Sequence, residues 1–399
     1  MESNILKEED LLEETGQENE DDIEGLENED FSEAVLWATD WTTETIISQF
    51  KKGKIELETH FQRRDAWNEK RKSRFIESLI LGYPIPQIIF AEKKEKKNNY
   101  LIIDGKQRLL SILQFCESLA NDEIKPFKLT DLAILKKLDG LTYKDFEDKP
   151  EYLNYKDSLD NQAIRTVIMK NYPDDKFLYS VFYRLNTGSL PLSPQELRQT
   201  LQPGKFSDYA EEFSSDSLQI KKALRIDSLD PRMRDVEIVV RYFAFKYYIE
   251  EYRGNLSVFL DNACGKLNSL WKEKEAEIRN QGHELNEAIK TIFEIFNDNA
   301  FTKFSKDKFT RGFNRPVFDI MSYYFSNPEI RESSLKHRDK IVEAFEDLCK
   351  NDSAFLGSLE TWTKDTTRTV KRYTAWGEVL KKILNQNIYI PKIKIASKN

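Results

Sequence analysis

Residues 100–115 read YLIIDGKQRLLSILQF, and this stretch decides the fold of the N-terminal half. Its first four residues are apolar without interruption, which is typical of a strand buried on both faces. From Leu109 to Phe115 apolar side chains recur at helical spacing. Asp104 and Gly105 stand between the two patterns, where a glycine permits a tight turn. The stretch therefore predicts a strand, a turn and a helix in direct succession.

Further elements of an α/β domain surround this stretch. Upstream, the sequence predicts a helix that is capped by Asp40 or Thr42 and ends at Gly53, a short strand at 55–57, a helix from Asn68 to Gly82 and a strand at 87–91. Downstream, it predicts a strand at 163–169 and a helix opened by the capping box Ser193-Pro194-Gln195-Glu196. Residues 125–160 show no firm periodicity. The α/β elements are followed by an almost wholly helical pattern from about residue 208.

The chain is too long, at 399 residues, for one ordinary domain core. We therefore expect two domains and two tails. The expected order is an acidic disordered tail at 1–34, an α/β domain at 35–207, an all-α domain at 208–388 and a C-terminal tail at 389–399.

The charge distribution is uneven. Residues 1–34 contain 15 Asp or Glu and one Lys, so this segment has a net charge of −14. Because the whole chain has a net charge of −8, the remaining residues have a net charge of +6. A mildly basic body is compatible with a polyanionic ligand. We interpret the tail as a solubilising disordered segment, the alternative being an intramolecular mimic of nucleic acid.

Several protein classes are disfavoured by the sequence. The three cysteines are far apart and form no CxxC pair, which argues against a zinc ribbon or a disulfide framework. No apolar stretch approaches the roughly 20 residues of a membrane-spanning helix, and the N-terminal segment is acidic where a signal peptide is basic. We expect a cytoplasmic protein without a membrane partner.

The turn at Asp104-Gly105-Lys106-Gln107-Arg108 is the strongest candidate site. Free N–H groups and the dipole at a helix N-terminus favour an anion, and phosphate is the expected guest. Gly105 permits close approach, Arg108 offers a planar fork and Lys106 a point charge. A plain Asp-Gly turn before an exposed basic helical turn is the structural alternative.

Two further polar clusters could converge on this turn. Gln62-Arg63 precedes the helix that begins after Asn68, and Arg184-Leu185-Asn186-Thr187-Gly188 lies in another loop. A buried cationic pocket needs an anionic ligand or carboxylate partners. Asp65, Asp104 and Glu196 could be those partners without any ligand.

The ordered series of these motifs resembles the GmrSD restriction-enzyme N-terminal domain family. The series comprises Phe61-Gln62-Arg63, Trp67, Ile76-Glu77-Ser78-Leu79, Gly82, Pro84-Ile85-Pro86, residues 103–109, residues 182–188 and residues 192–198. The resemblance covers roughly residues 40–250 and implies a ParB/sulfiredoxin-like α/β (or α+β) domain. In that family an Asp-Gly-Gln-Gln-Arg motif serves the binding and hydrolysis of nucleoside triphosphates, commonly in defence against phage. Lys106 replaces the first Gln of that motif, which leaves open whether this chain hydrolyses or only binds.

Under this resemblance, the chain is a nucleotide-binding sensor or regulatory subunit of a bacterial restriction-type defence system, with a nucleoside triphosphate and Mg²⁺ as cofactors. Its roles would be as follows: Arg63, Lys106 and Arg108 hold phosphates; Gln62 and Gln107 position water or base; Asp104 binds Mg²⁺ or orients Arg108; Arg184 and Asn186 close the site. Asp104, Gln107 and Arg108 are the catalytic candidates if the domain is an NTPase. A nuclease effector protein is the expected partner.

The family often continues into a C-terminal HNH nuclease domain, which needs a His general base beside metal ligands. His283 and His337 are the only histidines beyond the first domain, and both read as helix-surface residues. One predicted helix combines Arg368, Lys371 and Arg372 with Tyr373 and Trp376, after Trp362; we expect the aromatics in the core and the cations at the surface, the alternative being a nucleic-acid contact. Two other functions remain open: a non-enzymatic DNA-binding or scaffold protein, and an autonomous ParB-like DNA nickase.

Overall fold

The computed structural model describes residues 35–56, 67–116, 126–173, 177–178, 181, 193–360 and 364–395. These residues divide into two compact units, and the division follows Leu201. No helix in the described ranges combines the length and the apolar character that crossing a bilayer demands.

The first unit contains a mixed five-stranded sheet. Its strands are β1 (Val35–Thr42), β2 (Ile55–Glu56), β3 (Ile88–Glu92), β4 (Tyr100–Asp104) and β5 (Ala163–Lys170), in the spatial order β1-β5-β3-β4-β2. β3 pairs antiparallel with β4 and parallel with β5, whereas β1 pairs antiparallel with β5 and β2 parallel with β4. The predicted strands at 87–91 and 100–103 are therefore confirmed as β3, at the centre of the sheet, and its neighbour β4.

The α-helices of this unit whose bounds the structure describes accompany the sheet. They are α1 (Thr43–Lys51), α2 (Glu69–Ile80), α3 (Lys106–Phe115), α4 (Tyr143–Asp148), α5 (Leu153–Asp160) and α6 (Pro194–Leu201). Thr42 and Asn68 accept N–H hydrogen bonds at the starts of α1 and α2, as expected of cap residues. Gly82 has a φ of 71°, which fits its place just beyond α2.

Two regions differ from the sequence expectations. We expected structure to begin with the helix after Asp40 or Thr42, but β1 precedes it and pairs along its whole length with β5. Residues 125–160, which show no firm periodicity, contain the short helices α4 and α5. The mixed α/β class of the first unit is confirmed, and a ParB/sulfiredoxin-like topology stays a prediction.

The second unit is helical apart from one small hairpin of two-residue strands, β6 (Phe304–Ser305) and β7 (Lys308–Phe309), among its described residues. Its helices are α7 (Lys205–Asp216), α8 (Leu218–Leu224), α9 (Arg234–Tyr248), α10 (Leu256–Phe296), α11 (Arg315–Phe325), α12 (Pro328–Leu335), α13 (Arg338–Asn351), α14 (Ser353–Glu360) and α15 (Thr366–Leu384). The predicted helical second half is therefore confirmed.

Buried ion pairs cross the core of this second unit. Arg241 on α9 contacts Asp319 on α11, with 3.1 Å between Nε and Oδ1. Arg315 on α11 forms a bidentate ion pair with Glu237 on α9, with hydrogen bonds of 2.9 and 3.2 Å. Each of these four side chains is more than nine-tenths buried. Bidentate ion pairs of this kind fix the register of two neighbouring helices.

The expectation of surface cations on α15 is wrong for Arg372. Tyr373 and Trp376 are fully buried as expected, but the Arg372 side chain is buried beside them. Burial lowers the pKa of Arg372, and the nearby Asp319 carboxylate opposes that shift. Lys371 does lie near the surface, paired with Asp352 at 2.6 Å. Trp362 lies outside the described residues.

Glu77 on α2 joins that helix to the loop at 133–135 in the first unit. Its carboxylate accepts the backbone N–H groups of Ala133, Ile134 and Leu135 at 3.0, 2.7 and 2.6 Å. Burial on its own would raise the pKa of Glu77, but the three backbone donors and the nearby Arg74 together lower it by more, so the net shift is downward. The folded state therefore stabilises the charged carboxylate.

We expect Glu77→Gln to lower the unfolding free energy of the first unit by at least about 1 kcal/mol at pH 7, because N–H groups lose their charged acceptor. Since the folded pKa is depressed, the contribution of Glu77 is complete above its ordinary pKa of 4.5 and is lost as the pH falls through the folded value. The gap between wild type and Glu77→Gln should therefore close in acid. Denaturant unfolding at pH 7 and below pH 4.5 measures it, with exposed Glu95→Gln as the control; a pH-independent gap would contradict the assignment.

Candidate functional site

The candidate site is the turn between β4 and α3. Gly105 is the N-cap of α3 and has a left-handed backbone, with φ of 92° and ψ of 17°. No side chain caps this helix start among the described residues. The first N–H groups of a helix have no intrahelical acceptor, and the dipole makes that end positive. The turn therefore presents backbone donors suited to an anion.

Arg108 folds back over the same turn. Its Nη2 donates to Asp104 Oδ2 and to the backbone oxygen of Gln87, each at 2.9 Å. A side-chain Cβ built on Gly105 would lie 3.1 to 3.2 Å from the guanidinium nitrogens, so the group packs directly against the glycine. Arg108 is 5% exposed. The guanidinium is thus held in one orientation at the N-terminus of α3.

One nitrogen of that guanidinium is left over. The Nε of Arg108 is buried and has no hydrogen-bond partner among the described residues. A buried donor without an acceptor costs about 1–3 kcal/mol. An oxygen atom of a bound ligand that accepted a hydrogen bond from Nε would remove this cost.

Lys106 faces a different partner. Its Nζ lies 2.9 Å from Glu196 Oε1, and the two side chains are 3% and 4% exposed. The other carboxylate oxygen of Glu196 accepts the Ser193 N–H at 2.6 Å, and Ser193 Oγ accepts the Glu196 N–H at 3.1 Å. The predicted capping box of α6 is therefore confirmed, and its carboxylate also neutralises Lys106.

Gln107 is half-buried and connects the turn to the start of α2. Its Oε1 accepts the backbone N–H of Trp67 at 3.3 Å, and its carbonyl oxygen accepts Ser111 Oγ–H at 2.7 Å. The Trp67 ring packs edge-on against Phe75 and carries the Arg71 guanidinium 4.6 Å above its centroid. The Gln107 amide is consequently positioned by a backbone group.

Asp104 is the residue that the sequence predicts either to bind Mg²⁺ or to orient Arg108. One of its oxygens is engaged by Arg108, so the geometry supports the orienting role that the sequence left open. Across the described residues, no three His, Cys, Asp or Glu side chains cluster as a protein-only metal site would require. Mg²⁺ commonly binds through one or two carboxylates plus substrate phosphates, a demand that the second oxygen of Asp104 could meet.

The structure brings together Asp104, Gly105, Lys106, Gln107 and Arg108 with Glu196. Gln62, Arg63, Asp65, Arg184 and Asn186 lie outside the described residues. Trp67 and Ser193, the described residues that follow those two segments, contact the first turn of α3 directly or through Glu196. Sequence reasoning missed the Gln87 carbonyl and the Trp67 N–H, because backbone groups carry no residue-type signal.

Comparison with known proteins adds one finding. Residues 43–201 match the family model described as GmrSD restriction endonuclease, N-terminal domain. The match ends where the first unit ends and covers less than half of the chain. No C-terminal nuclease domain was found, and neither a curated protein nor a solved structure matches the chain. The resemblance inferred from the motifs is confirmed, and it indicates a protein of a restriction or defence system.

Gly105→Ala should disturb the site for two separable reasons. A left-handed φ is unfavourable for alanine, and the new methyl group would lie 3.1 Å from both Arg108 and Ile88. Gly140 has a similar φ of 84° but nothing within 4 Å of the same position, so Gly140→Ala reports the backbone cost alone. We expect Gly105→Ala to cost at least about 1 kcal/mol more than Gly140→Ala, since crowding adds to strain. Equal losses in the denaturation midpoint would show that Arg108 and Ile88 move aside freely.

Proposed function

We propose that the first unit binds the phosphate groups of a nucleoside triphosphate at the N-terminus of α3, as the sensor or regulatory part of a restriction or defence system. The observation that carries the proposal is the Arg108 guanidinium: buried, oriented by Asp104 and Gln87, and with Nε lacking an acceptor among the described residues. The family match is the second support.

Phosphate fits this turn for electrostatic reasons. The helix start after Gly105 is positive through its dipole, the Arg108 guanidinium is a donor there, and charge-assisted hydrogen bonds are roughly twice as strong as neutral ones. Low local polarity strengthens them further, because Arg108 is nearly buried. A phosphate oxygen at Nε would satisfy a donor that has no acceptor in the part of the chain that the structure describes.

Mg²⁺ would accompany the triphosphate. Asp104 would hold the ion through the oxygen that Arg108 does not engage, while phosphate oxygens and water complete its shell. The ion would supply charge neutralisation of the phosphates. Gln107, fixed by the Trp67 N–H, would orient water or base, and the same arrangement serves slow hydrolysis or a binding switch. Gln62, Arg63, Arg184 and Asn186 remain proposed ligands, and a nuclease effector the proposed partner.

The thermal midpoint of the purified protein should rise with a triphosphate and Mg²⁺, since a ligand of the native state stabilises it by about 2.7 kcal/mol at a hundred times Kd. Arg108→Lys keeps the charge but loses the planar fork, so we expect affinity to fall roughly tenfold or more. Lys136→Ala, an exposed lysine of the same unit, is the matched control and should bind as wild type.

The possible results of this experiment distinguish a specific phosphate site from a general attraction by charge. A loss of affinity in Lys136→Ala without a loss in Arg108→Lys would mean that only overall charge attracts the ligand. No rise with ATP, GTP, CTP or UTP at millimolar concentration would sink the proposal. Release of inorganic phosphate, measured in parallel, distinguishes turnover from binding.

A specific surface favours DNA binding as a second candidate function. The loop after α1 and the β3–β4 turn are held together by the Asn99 side chain on the Gly53 carbonyl, at 3.2 Å, and by the Tyr100 N–H on the Lys54 carbonyl, at 2.7 Å. Together with the last residue of α1, these two segments carry five lysines, namely Lys51, Lys52, Lys54, Lys96 and Lys97, none of which pairs with a carboxylate of the described chain. Unpaired lysines on one edge suit backbone phosphates.

We expect simultaneous replacement of Lys51, Lys52, Lys96 and Lys97 by alanine to weaken binding of a duplex of arbitrary sequence. Each lysine that contacts a phosphate should reduce the slope of log affinity against log salt by roughly 0.9. Replacement of Lys336, Lys340, Lys381 and Lys382, exposed lysines of the second unit, is the matched control. Fluorescence anisotropy at several salt concentrations measures both. An equal change in the two variants would remove this candidate.

A further inference from the structure

We infer that Glu196 competes with the bound phosphate for Lys106, so that occupation of the site releases the start of α6. The inference rests on the proposed phosphate binding and adds its regulation. Its basis is that one buried carboxylate performs two tasks, neutralising Lys106 and capping α6.

The first task makes Glu196 an internal substitute for ligand charge. The Lys106 ammonium and the Glu196 carboxylate are 2.9 Å apart and almost completely buried. A buried ammonium needs an anion close by. Lys106 begins α3, at the same turn where the phosphate would bind. A phosphate that reaches this turn brings a second anion to one cation, and the two anions repel each other in a region of low polarity.

The second task connects that competition to α6. Glu196 and Ser193 exchange hydrogen bonds at 2.6 and 3.1 Å, which fixes the first turn of α6. If Glu196 turns away from Lys106, the Ser193 N–H loses its acceptor. The helix is only eight residues long and ends at Leu201, the last residue of the first unit. A disturbed cap therefore affects a large part of the helix.

The way in which α6 is buried makes it a suitable switch. Its buried side chains are mainly polar: Gln195, Glu196, Arg198, Gln199 and Thr200, with Leu197 as the apolar exception. Arg198 and Gln195 bond each other at 2.8 Å, and Thr200 Oγ1 donates to the Glu196 carbonyl at 3.0 Å. Polar contacts respond to a change of nearby charge, whereas apolar packing does not. The position of α6 thus depends on the electrostatics at Lys106.

Glu196→Gln isolates the charge, because glutamine also serves in a capping box. Without the competing carboxylate, Lys106 needs an anion, so the free protein should melt at a lower temperature and bind a triphosphate roughly tenfold more tightly, an increase that corresponds to about 1.4 kcal/mol. Glu95→Gln removes an exposed charge from the same unit and controls for weaker general repulsion of the ligand. It should change affinity far less.

Hydrogen exchange provides the structural readout. Triphosphate with Mg²⁺ should increase exchange of the first-turn amides of α6 in wild type. In Lys106→Gln, which installs the neutral residue of the Asp-Gly-Gln-Gln-Arg motif, there is no ammonium to compete for. Binding to that variant should leave α6 exchange unchanged.

The outcomes distinguish this inference from the proposed function. If a triphosphate binds wild type but Glu196→Gln binds no more tightly and α6 exchange does not rise, the Lys106–Glu196 pair is purely structural and the inference is overturned alone. If no triphosphate binds wild type or either variant, both fall together. Tighter binding by Glu196→Gln, matched by Glu95→Gln, would also overturn it, because the effect would then be one of overall charge.

Discussion

The buried ion pair between Lys106 and Glu196 is the constraint around which the first unit is organised. It joins the start of α3 to the start of α6, 90 residues later in the chain. A buried pair recovers little net free energy, because both charges lose their hydration. Its effect is to fix position, because Glu196 accepts from Lys106 with one carboxylate oxygen and from the Ser193 N–H with the other. The pair therefore holds the start of α6 beside the turn between β4 and α3.

The location of that turn follows from what surrounds it. β4 is buried along Tyr100–Ile103, and α3 is buried at nearly every position, so neither element has a free polar face. Gly105 adopts the left-handed conformation and leaves no room for a side chain, and Arg108 occupies the space beside it. The pairing of β3 with β4 contains an irregularity between Ile89 and Phe90, directly beside the pair formed by Ile89 and Asp104. β-Bulges are common next to functional sites.

Local patterns were sufficient for much of this architecture. Uninterrupted apolar runs predicted β3 and β4, and Ser193 with Glu196 predicted the cap of α6. They failed where tertiary contact overrides local signal. β1 is an edge strand whose first residues are exposed on both faces, so it has no alternation to detect. Arg372 reads as a surface cation because its buried surroundings, including Asp319, come from other helices. The pairing of Lys106 with Glu196 was only one of several alternatives, since sequence spacing does not specify which distant charges meet.

Lys106 stands where the family motif has its first Gln, and this difference changes the electrostatics of the turn. A glutamine at this buried position would be neutral and could be satisfied by hydrogen bonds alone. A lysine there must have a counter-charge before any ligand arrives, and Glu196 supplies it at 2.9 Å. The added charge is consequently not available to a phosphate without cost, because it is already neutralised. Its consequence is therefore greater for the contact between this turn and α6 than for the proposed binding of an anion, which would rest on Arg108 and the N-terminus of α3.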